Sequence, residues 1–310
     1  MFLIHKVSPL QQIRTEALAA KSVQLYLKRD DLLHPHISGN KWRKLKYNIA
    51  QAQQQSATAL LTFGGAFSNH IAATAAAGQA AGYATIGIIR GEAHLPLNPT
   101  LRFATDCGMQ LQYISRSDYR QKDTAVFRTQ LQRQHPNAYI IPEGGTNIHA
   151  LKGCAEIITE ITAQRQGQLA DYYCVACGTG GTIAGMIQGL EGRKNIIGCA
   201  VLKGDFIRDE VSQLLEQSNS PTTPDNWHIH NDFHHGGYAR FTPALIDFIN
   251  QFKQEHQIAL DPIYTGKLLF AIFELVERDY FPKGSSIVAV HTGGLQGIAG
   301  FNQRFGQLLV

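Results

Sequence analysis

One short stretch of the chain brings together residue types that could do chemistry. "SGNKWRKLKYN" places Lys41, Arg43, Lys44 and Lys46 directly after a glycine and an asparagine. If a helix begins there, Lys41 and Lys44 share one face, and Arg43 and Lys46 turn to another. Neighbouring cations favour the neutral amine that an imine-forming lysine requires, and Lys44 could then hold a phosphate. The alternative is a set of solvated lysines on an exposed helix.

Paired glycines stand where four predicted strands end. In an open parallel sheet, ligands bind at the carboxyl ends of the strands, and glycine there lets backbone N–H groups approach a bound anion. Four such ends therefore predict one composite pocket. The pairs are Gly64 and Gly65, Gly144 and Gly145, Gly180 and Gly181, and Gly293 and Gly294.

The segment "GTGGT" is the strongest candidate for a phosphate-binding loop. It lies between a predicted strand and a predicted helix, so free amides and the helix N-terminus would both face an anion. Two hydroxyls add donors. The segment consists of Gly178, Thr179, Gly180, Gly181 and Thr182. It has neither the lysine of a Walker loop nor the spacing of a dinucleotide-binding fingerprint. A tight turn that only packs strand against helix is the alternative.

Short β-rich segments alternate with longer helical ones along the chain. "ATALLTF" precedes "SNHIAATAAAGQAAG", "YATIGII" precedes "NPTLRFATDCG", and "MQLQYI" precedes "SDYRQKDTAVFRTQLQRQH". "AYIIP", "DYYCVAC", "NIIGCAVL" and "SSIVAVH" are further predicted strands. This alternation predicts right-handed βαβ units and an α/β fold in which helices cover both faces of mainly parallel sheet.

Composition excludes several classes of protein. Of 310 residues, 44% are hydrophobic and 17% charged, and the net charge is only +4, so we expect a globular chain without a nucleic-acid partner. No apolar run approaches membrane-spanning length, so we expect no membrane partner. The opening "MFLIHKVSPL" has too short an apolar run for a signal peptide, and five cysteines fit reduced thiols, which together predict the cytoplasm. "CVAC" and "WHIHNDFHH" lack further ligands, so we expect no metal.

Five motifs together resemble one known family. "SGNKWRKL", "GGAFSNH", "GTGGT", "DPIYTGK" and "HTGG" stand in the order typical of the 1-aminocyclopropane-1-carboxylate deaminase and D-cysteine desulfhydrase family. The resemblance extends from about Leu27 to Gly297. It implies a fold-type II pyridoxal-phosphate enzyme, similar to the tryptophan synthase β-subunit, with two open twisted sheets. Residues 1–44 and 151–310 would form the large cofactor-binding domain, and residues 45–150 the small domain.

The same resemblance implies how pyridoxal 5′-phosphate is held. Lys41 would carry the cofactor covalently and would also move the proton at the substrate Cα. Lys44 and the loop from Gly178 to Thr182 would bind the phosphate. Asn69 would lie beside the phenolic oxygen of the cofactor, and Thr292 would meet its pyridine nitrogen.

Substrate contacts are also implied by the resemblance. Ser68 and Asn69 would receive the substrate carboxylate, and Ser68 is also a candidate catalytic residue. His70 is a candidate substrate-binding residue that either orients this loop or only begins a helix. Tyr238 and Tyr264 match the aromatic pair on the substrate side. Either phenol could hydrogen-bond the substrate, or act as an acid or base once nearby cations lower its pKa. Core packing is the alternative for both tyrosines.

Position 265 departs from the pattern of the deaminases. They usually carry a glutamate after the tyrosine, facing the pyridine nitrogen, whereas this chain has Thr265. With Thr292 as the partner of that nitrogen, the ring is a weaker electron sink, which favours elimination over racemisation. We therefore expect the conversion of a small amino acid, D-cysteine, to pyruvate, ammonia and sulfide. Deamination of 1-aminocyclopropane-1-carboxylate to 2-oxobutanoate is the alternative, and a non-catalytic phosphometabolite-binding protein is the distant one. The resemblance to fold-type II enzymes also implies a homodimer.

Overall fold

The computed structural model describes residues 6–37, 39–218 and 226–310. The apolar residues of the signal-peptide argument, and Ser38 of the lysine motif, lie outside the described residues. Within the described ranges the chain forms one sheet of 6 strands and one of 4 strands, with helices packed around both. The predicted α/β class is therefore confirmed.

The larger sheet takes its strands from both ends of the chain. Its strands are β1 (Leu10–Ile13), β2 (Gln24–Lys28), β7 (Tyr172–Cys177), β8 (Asn195–Ala200), β9 (Trp227–His230) and β10 (Ser286–Val290). Their order in space is β1–β2–β10–β7–β8–β9. β1 runs antiparallel to β2, and the remaining pairs are parallel.

The smaller sheet is parallel throughout. Its strands are β3 (Ala59–Gly64), β4 (Ala84–Arg90), β5 (Met109–Ile114) and β6 (Ala138–Ile141), in the order β5–β4–β3–β6. Nearly every residue of β3 and β4 is buried, because helices cover both faces of the sheet, and this explains why these segments read as continuous apolar runs. All four strands lie within residues 45–150, and the domain boundaries themselves stay a prediction.

Helices connect the strands and carry most of the polar side chains discussed below. They are α1 (Glu16–Ala20), α2 (Asn40–Gln54), α3 (Asn69–Ala81), α4 (Pro99–Asp106), α5 (Arg116–Tyr119), α6 (Ala125–Gln134), α7 (Ile148–Gln164), α8 (Gly181–Leu190), α9 (Phe206–Gln217), α10 (Pro243–His256), α11 (Thr265–Glu277) and α12 (Gly297–Phe305). Short 3₁₀ helices cover Asp30–Leu32 and Glu143–Gly145. Helix α7 packs against both α2 and α8.

One predicted helix is divided in two. The segment after β5 was expected to form a single helix, and the structure has α5 and α6 there instead. Ser115 caps the first by accepting a hydrogen bond from Asp118 N at 3.1 Å, and Thr124 caps the second by accepting from Phe127 N at 3.3 Å. Because these side chains compete for the backbone N–H groups, each of them begins a new helix.

The described residues contain neither a membrane-spanning helix nor a metal-binding cluster. No helix in these ranges is both long and apolar enough to cross a bilayer. Over the same ranges, no group of three or more histidine, cysteine or acidic side chains is arranged to hold a metal ion.

Candidate active site

The start of helix α2 is fixed by the end of strand β10. Gly39 is the N-cap residue and has φ +64°, and a Cβ added to it would lie 1.8 Å from the Thr292 carbonyl oxygen. The Asn40 N–H donates to the same carbonyl at 3.2 Å. Only glycine permits this approach, because the atom in the way belongs to the main chain and cannot rotate aside. The contact sets the direction in which the next residue, Lys41, projects.

The other basic residues of this stretch anchor the helix. Arg43 is 2% exposed and donates to the Asp30 carboxylate at 2.6 and 2.8 Å and to Glu160 at 2.9 Å. Lys46 donates to Glu156 at 2.7 Å. Both glutamates belong to α7, so these ion pairs hold α2 against α7. The basic stretch is therefore not a solvated face.

Lys41 and Lys44 lie on a common face of α2, as the spacing predicts. The Nζ atoms of both lysines approach the Gly144 carbonyl oxygen, at 3.4 and 3.2 Å respectively. Burial lowers the pKa of Lys41 well below its usual value, and the charge of Lys44 lowers that pKa further. Burial likewise lowers the pKa of Lys44. This direction agrees with the expected bias of Lys41 towards the neutral amine, and burial contributes more to it than the neighbouring cation does.

Lys44 begins a chain of polar contacts that ends at helix α8. Its Nζ donates to Thr146 Oγ1 at 3.0 Å, and Thr146 Oγ1 is 2.6 Å from Thr179 Oγ1. A Cβ added to Gly181, the first residue of α8, would lie 3.1 Å from Lys44 Nζ. An ammonium, two hydroxyls and a helix N-terminus therefore converge, and this arrangement can receive a phosphate. With the buried Lys41 amine one helical turn away, these residues fit a phosphorylated aldehyde.

Thr182 connects the first turn of α8 to the first turn of α2. Its hydroxyl oxygen accepts a hydrogen bond from Asn40 Nδ2 at 2.9 Å, which leaves the hydroxyl proton for another acceptor. Gly180, at φ +71°, is the N-cap of α8. The GTGGT segment is thus the entry to a helix that is cross-linked to the lysine helix, and not a turn with packing contacts alone.

Ser68 and Asn69 lie where strand β3 gives way to helix α3. The Ser68 hydroxyl accepts from Ile71 N at 3.3 Å and so caps the helix. The Asn69 side chain lies against the turn after β10, because a Cβ added to Gly294 would lie 2.7 Å from its Nδ2 atom. The strand ends of the two sheets therefore meet at one place, as the paired glycines predicted.

His70 is a buried contact between helix α3 and the smaller sheet. It is 2% exposed, and its Nε2 atom lies 2.7 Å from Thr62 Oγ1. Because the Thr62 hydroxyl donates to the Ile141 carbonyl at 2.9 Å, the Nε2–H of His70 donates to Thr62. Burial lowers the pKa of His70 well below its usual value, and the charges of Lys41 and Lys44 contribute. A neutral His70 that orients the start of α3 agrees with one of the two predicted readings.

Tyr238 and Tyr264 form an edge-to-face pair. Their ring centroids are 6.3 Å apart at an interplanar angle of 71°. Tyr264 faces the GTGGT segment, since a Cβ added to Gly178 would lie 3.2 Å from the Cε1 atom of Tyr264. The prediction that cations lower the pKa of these phenols is met for neither, because burial raises the pKa of Tyr238 as well as that of Tyr264. Burial raises the pKa of Tyr264 well above the usual value, and Tyr238 and Asp261 raise it further.

Thr265, the residue that departs from the deaminase pattern, is committed to the start of helix α11. Its hydroxyl donates to Asp261 Oδ1 at 2.7 Å and accepts from Asp261 N at 3.0 Å. Both residues are buried, with exposed fractions of 0% and 1%. The Asp261 carboxylate also accepts from the backbone N–H groups of Ile263 and Tyr264, each at 2.9 Å. A glutamate at position 265 would place a second buried carboxylate beside the first.

Sequence reasoning missed several polar residues that build this region. Thr146 follows the paired glycines of "PEGGTN", and that position was the only available signal for it. Asn40 stands inside the lysine motif, and Asp261 opens "DPIYTGK". Each of them acts through a partner that is remote in sequence or through the backbone, which spacing alone does not reveal.

The two mainly parallel sheets, together with the comparisons that follow, place the chain in the class of fold-type II pyridoxal-phosphate enzymes. The family model for "Pyridoxal-phosphate dependent enzyme" matches residues 2–293, so the chain belongs to that family and uses pyridoxal 5′-phosphate. The resemblance drawn from the five motifs is confirmed.

Relatives of this chain are named for two activities. The chain is 31% identical to the mitochondrial bifunctional D-cysteine desulfhydrase/1-aminocyclopropane-1-carboxylate deaminase of Arabidopsis thaliana, over 96% of this chain and 78% of the relative. It is 26% identical to a D-cysteine desulfhydrase of Yersinia enterocolitica, over 91% of this chain and 89% of the relative. The crystal structure of an ACC deaminase homologue, 26% identical, superposes with a TM-score of 0.85 over 99% of this chain and 95% of that one.

Proposed function

We propose that the chain catalyses elimination on a small D-amino acid and converts D-cysteine to pyruvate, ammonia and sulfide. The observation that carries this choice is the pairing of Thr265 with the buried Asp261 carboxylate. At the position of the deaminase glutamate, this chain therefore has the Thr265 hydroxyl, which is neutral and cannot place a charge beside the pyridine nitrogen. The activities for which the relatives from Yersinia and Arabidopsis are named support the same substrate.

In this proposal Lys41 carries the cofactor, because its amine is buried and its pKa is lowered. Lys44, Thr146, Thr179 and the backbone at Gly181 hold the phosphate, as their mutual contacts allow. The remaining contacts to the cofactor come from the GTGGT loop as a whole, from Asn69 at the phenolic oxygen and from Thr292 at the pyridine nitrogen.

On the substrate side, we assign the carboxylate to the turn of Ser68 and Asn69, with His70 keeping that turn in place. Tyr238 and Tyr264 flank the reacting side chain. Since burial raises the pKa of Tyr264, its phenol stays protonated and acts as a hydrogen-bond donor. The phenol can therefore donate to the departing sulfur.

The bound cofactor withdraws electrons from the substrate Cα and so makes the Cα–H bond acidic. Once the substrate amine has displaced Lys41 from the cofactor, the free Lys41 amine takes that proton, the Cβ–S bond breaks, and hydrosulfide leaves with the bonding electron pair. The 2-aminoacrylate that remains takes up water and gives pyruvate and ammonia. Lys41 then releases the proton taken from Cα to the solvent, so that all protons are accounted for.

The second candidate is the deamination of 1-aminocyclopropane-1-carboxylate, which the bifunctional name of the Arabidopsis relative favours. This substrate has no Cα proton, so the proton transfer assigned to Lys41 does not apply to it. Opening of the ring needs another base or a nucleophile. The two chemistries are therefore separable by substrate.

The test is release of 2-oxo acids by the purified holoenzyme. Pyruvate is measured from D-cysteine, β-chloro-D-alanine and D-serine, and 2-oxobutanoate from 1-aminocyclopropane-1-carboxylate, with L-cysteine as the stereochemical control and Lys41→Ala as the enzyme control. We expect pyruvate from the D-amino acids at a rate well above that of the cyclopropane acid. Efficient release of 2-oxobutanoate, with negligible pyruvate from every D-amino acid, would establish the deaminase instead.

We also propose that the enzyme is a homodimer in the cytoplasm. The resemblance to fold-type II enzymes supports the dimer, and five free cysteines support a reducing compartment. Light scattering after gel filtration tests whether the enzyme is a homodimer. A mass near that of a single 34.2 kDa chain would contradict it.

A further inference from the structure

Lys267 is a buried lysine that the reaction above does not use. It lies in the first turn of α11 and has an exposed fraction of 0%. Its Nζ atom donates to the carbonyl oxygens of His234 and Gly237, at 2.7 and 2.8 Å. Both acceptors belong to the segment that leads directly into Tyr238, which we call the Tyr238 loop (residues 234–240). Lys267 thus connects a helix of the larger domain to the loop that carries one of the two phenols.

The Tyr238 loop has a backbone conformation that needs external support. His235, Gly236, Gly237 and Ala239 have φ values of +50°, +92°, +114° and +53°. Such values are unfavourable for residues with a Cβ and persist where surrounding contacts determine them. Within the loop, Gly237 N donates to His234 O at 3.0 Å and Arg240 N donates to Gly237 O at 3.1 Å. The ammonium therefore binds the same two carbonyls that close the loop on itself.

Helix α11 also fixes the other phenol. Tyr264 is its N-cap residue, and the Tyr264 N–H donates to the buried Asp261 carboxylate at 2.9 Å. Lys267 follows Tyr264 by three residues, and so lies on the same face of the helix. One rigid element therefore holds Tyr264 through Asp261 and the Tyr238 loop through Lys267, with the two rings 6.3 Å apart.

A lysine at this position has a cost that a purely structural residue would avoid. Burial lowers the pKa of Lys267 to about 8, and the charge of Asp261 only partly opposes this. A methionine of similar length would fill the same space without burying an ammonium. The cation is useful where two carbonyl groups must be held at fixed positions, because charge-assisted hydrogen bonds are the stronger ones.

We infer that Lys267 is a positioning residue that sets Tyr238 against Tyr264 on the substrate side of the site. The inference rests on the proposed function, because it takes the two phenols to face the substrate. It predicts that loss of Lys267 and loss of the Tyr238 hydroxyl damage one and the same arrangement.

The experiment is a double-mutant cycle with the holoenzyme. Lys267→Met, Tyr238→Phe and the double variant are compared with Lys21→Met, which removes a lysine that donates to the Glu277 carbonyl at the other end of α11. We expect Lys267→Met and Tyr238→Phe each to lower kcat/KM for D-cysteine by about tenfold. The kcat/KM of the double variant should lie within about twofold of that of the less active single variant. Lys21→Met should match the wild type. Effects that multiply in the double variant would overturn the inference.

A second measurement needs no turnover. Hydrogen exchange followed by mass spectrometry should show about tenfold faster exchange of the Tyr238 loop in Lys267→Met and wild-type exchange in Lys21→Met. Lys267→Gln, which keeps one donor, should lie between them and serves if the methionine variant does not fold. Unchanged exchange in both variants would refute the inference. If the wild type turns over no amino acid, the proposed function fails, and the exchange result still decides the role of Lys267.

Discussion

The Lys44 ammonium and the Thr146 and Thr179 hydroxyls form a chain of polar contacts beside the start of α8. These three hydrogen-bond donors are preorganised, so they do not have to be brought together when an anion binds. Lys44 is buried and its pKa is lowered, which means that a bound phosphate relieves an unfavourable burial of charge. At the scale of single residues, affinity for the cofactor should therefore depend on these groups more than the rate of bond breaking does.

Thr179→Ala, Thr146→Val and Lys44→Ala test this statement. Each removes a hydrogen bond to a charged group, and such bonds contribute about 1.5–3 kcal/mol, so the cofactor Kd should rise by about 10- to 100-fold. Turnover at saturating cofactor should change by less than about threefold, because the phosphate is remote from the bond that breaks. Cofactor titrations measure both quantities.

Thr162→Ala is the matched control, since the Thr162 hydroxyl donates to the Ile158 carbonyl of its own helix and contacts none of the three test residues. Unchanged affinity in all three test variants, or an equal loss in the control, would contradict the assignment.

The spacing of residues along the chain predicted that Lys41 and Lys44 lie together, but it could not predict the contact between Thr146 and Thr179. Lys41 and Lys44 belong to one helix, so their common face follows from the helical repeat. Thr146 and Thr179 meet across two sheets, and that contact depends on strand order, which no local pattern contains. The pKa of Tyr264 was missed for a related reason, because burial by distant elements outweighs nearby cations.

Helix α2 is the element on which the site depends. Its first turn is held by Thr292 through Gly39 and Asn40, and its next turn by the ion pairs of Arg43. Lys41 lies between these two attachments. A shift of α2 by a fraction of an ångström would move the Lys41 amine. Misplacement of a reacting group by about 1 Å can lower the rate about a hundredfold.

Gly39→Ala tests the attachment, and Gly82→Ala is its control. Both glycines have positive φ, +64° and +75°, but a Cβ on Gly39 would lie 1.8 Å from Thr292 O, whereas one on Gly82 would meet nothing within 4 Å. Gly82→Ala should therefore cost only about 1–2 kcal/mol of unfolding free energy and keep cofactor affinity. Gly39→Ala should lose more stability and should lower cofactor affinity at least about tenfold. Equal behaviour of the two variants in denaturation and cofactor titration would contradict this account.

The whole molecule could be predicted in outline only. The α/β class, the parallel strands of the smaller sheet and the helix from Asn40 followed from alternating apolar segments and glycine positions. The break between α5 and α6 did not, because it depends on capping by Ser115 and Thr124. The antiparallel β1 and the edge strand β9 are short, and segments of 4 residues carry little periodicity.

Four buried lysines make the stability of the apoprotein depend on pH. Burial lowers the pKa values of Lys28, Lys41, Lys44 and Lys267 below the usual 10.5. Between those lowered values and 10.5 the unfolded chain binds more protons than the folded one, so the free energy of unfolding rises with pH. Above the usual cysteine value of 9.0 the five cysteines act in the opposite direction, because burial raises their pKa values, and above the usual tyrosine value of 10.0 Tyr264 does the same.

Thermal unfolding from about pH 7 to about pH 9, below the range in which the cysteines oppose the lysines, measures this dependence. The midpoint for the apoprotein should rise across the range, and that for the holoenzyme should rise less, because the cofactor occupies Lys41 and its phosphate neutralises Lys44. Parallel curves for the two forms would show that neither lysine contacts the cofactor.

The most direct test of the central claim is to locate the lysine that carries the cofactor. Holoenzyme is reduced with borohydride and digested, and mass spectrometry identifies the modified peptide and residue. We expect the adduct on Lys41, and we expect Lys41→Ala to fold, to lose the visible absorption of the lysine-bound cofactor and to lose turnover. An adduct on Lys44 or Lys46, or an unchanged visible band in Lys41→Ala, would contradict the account.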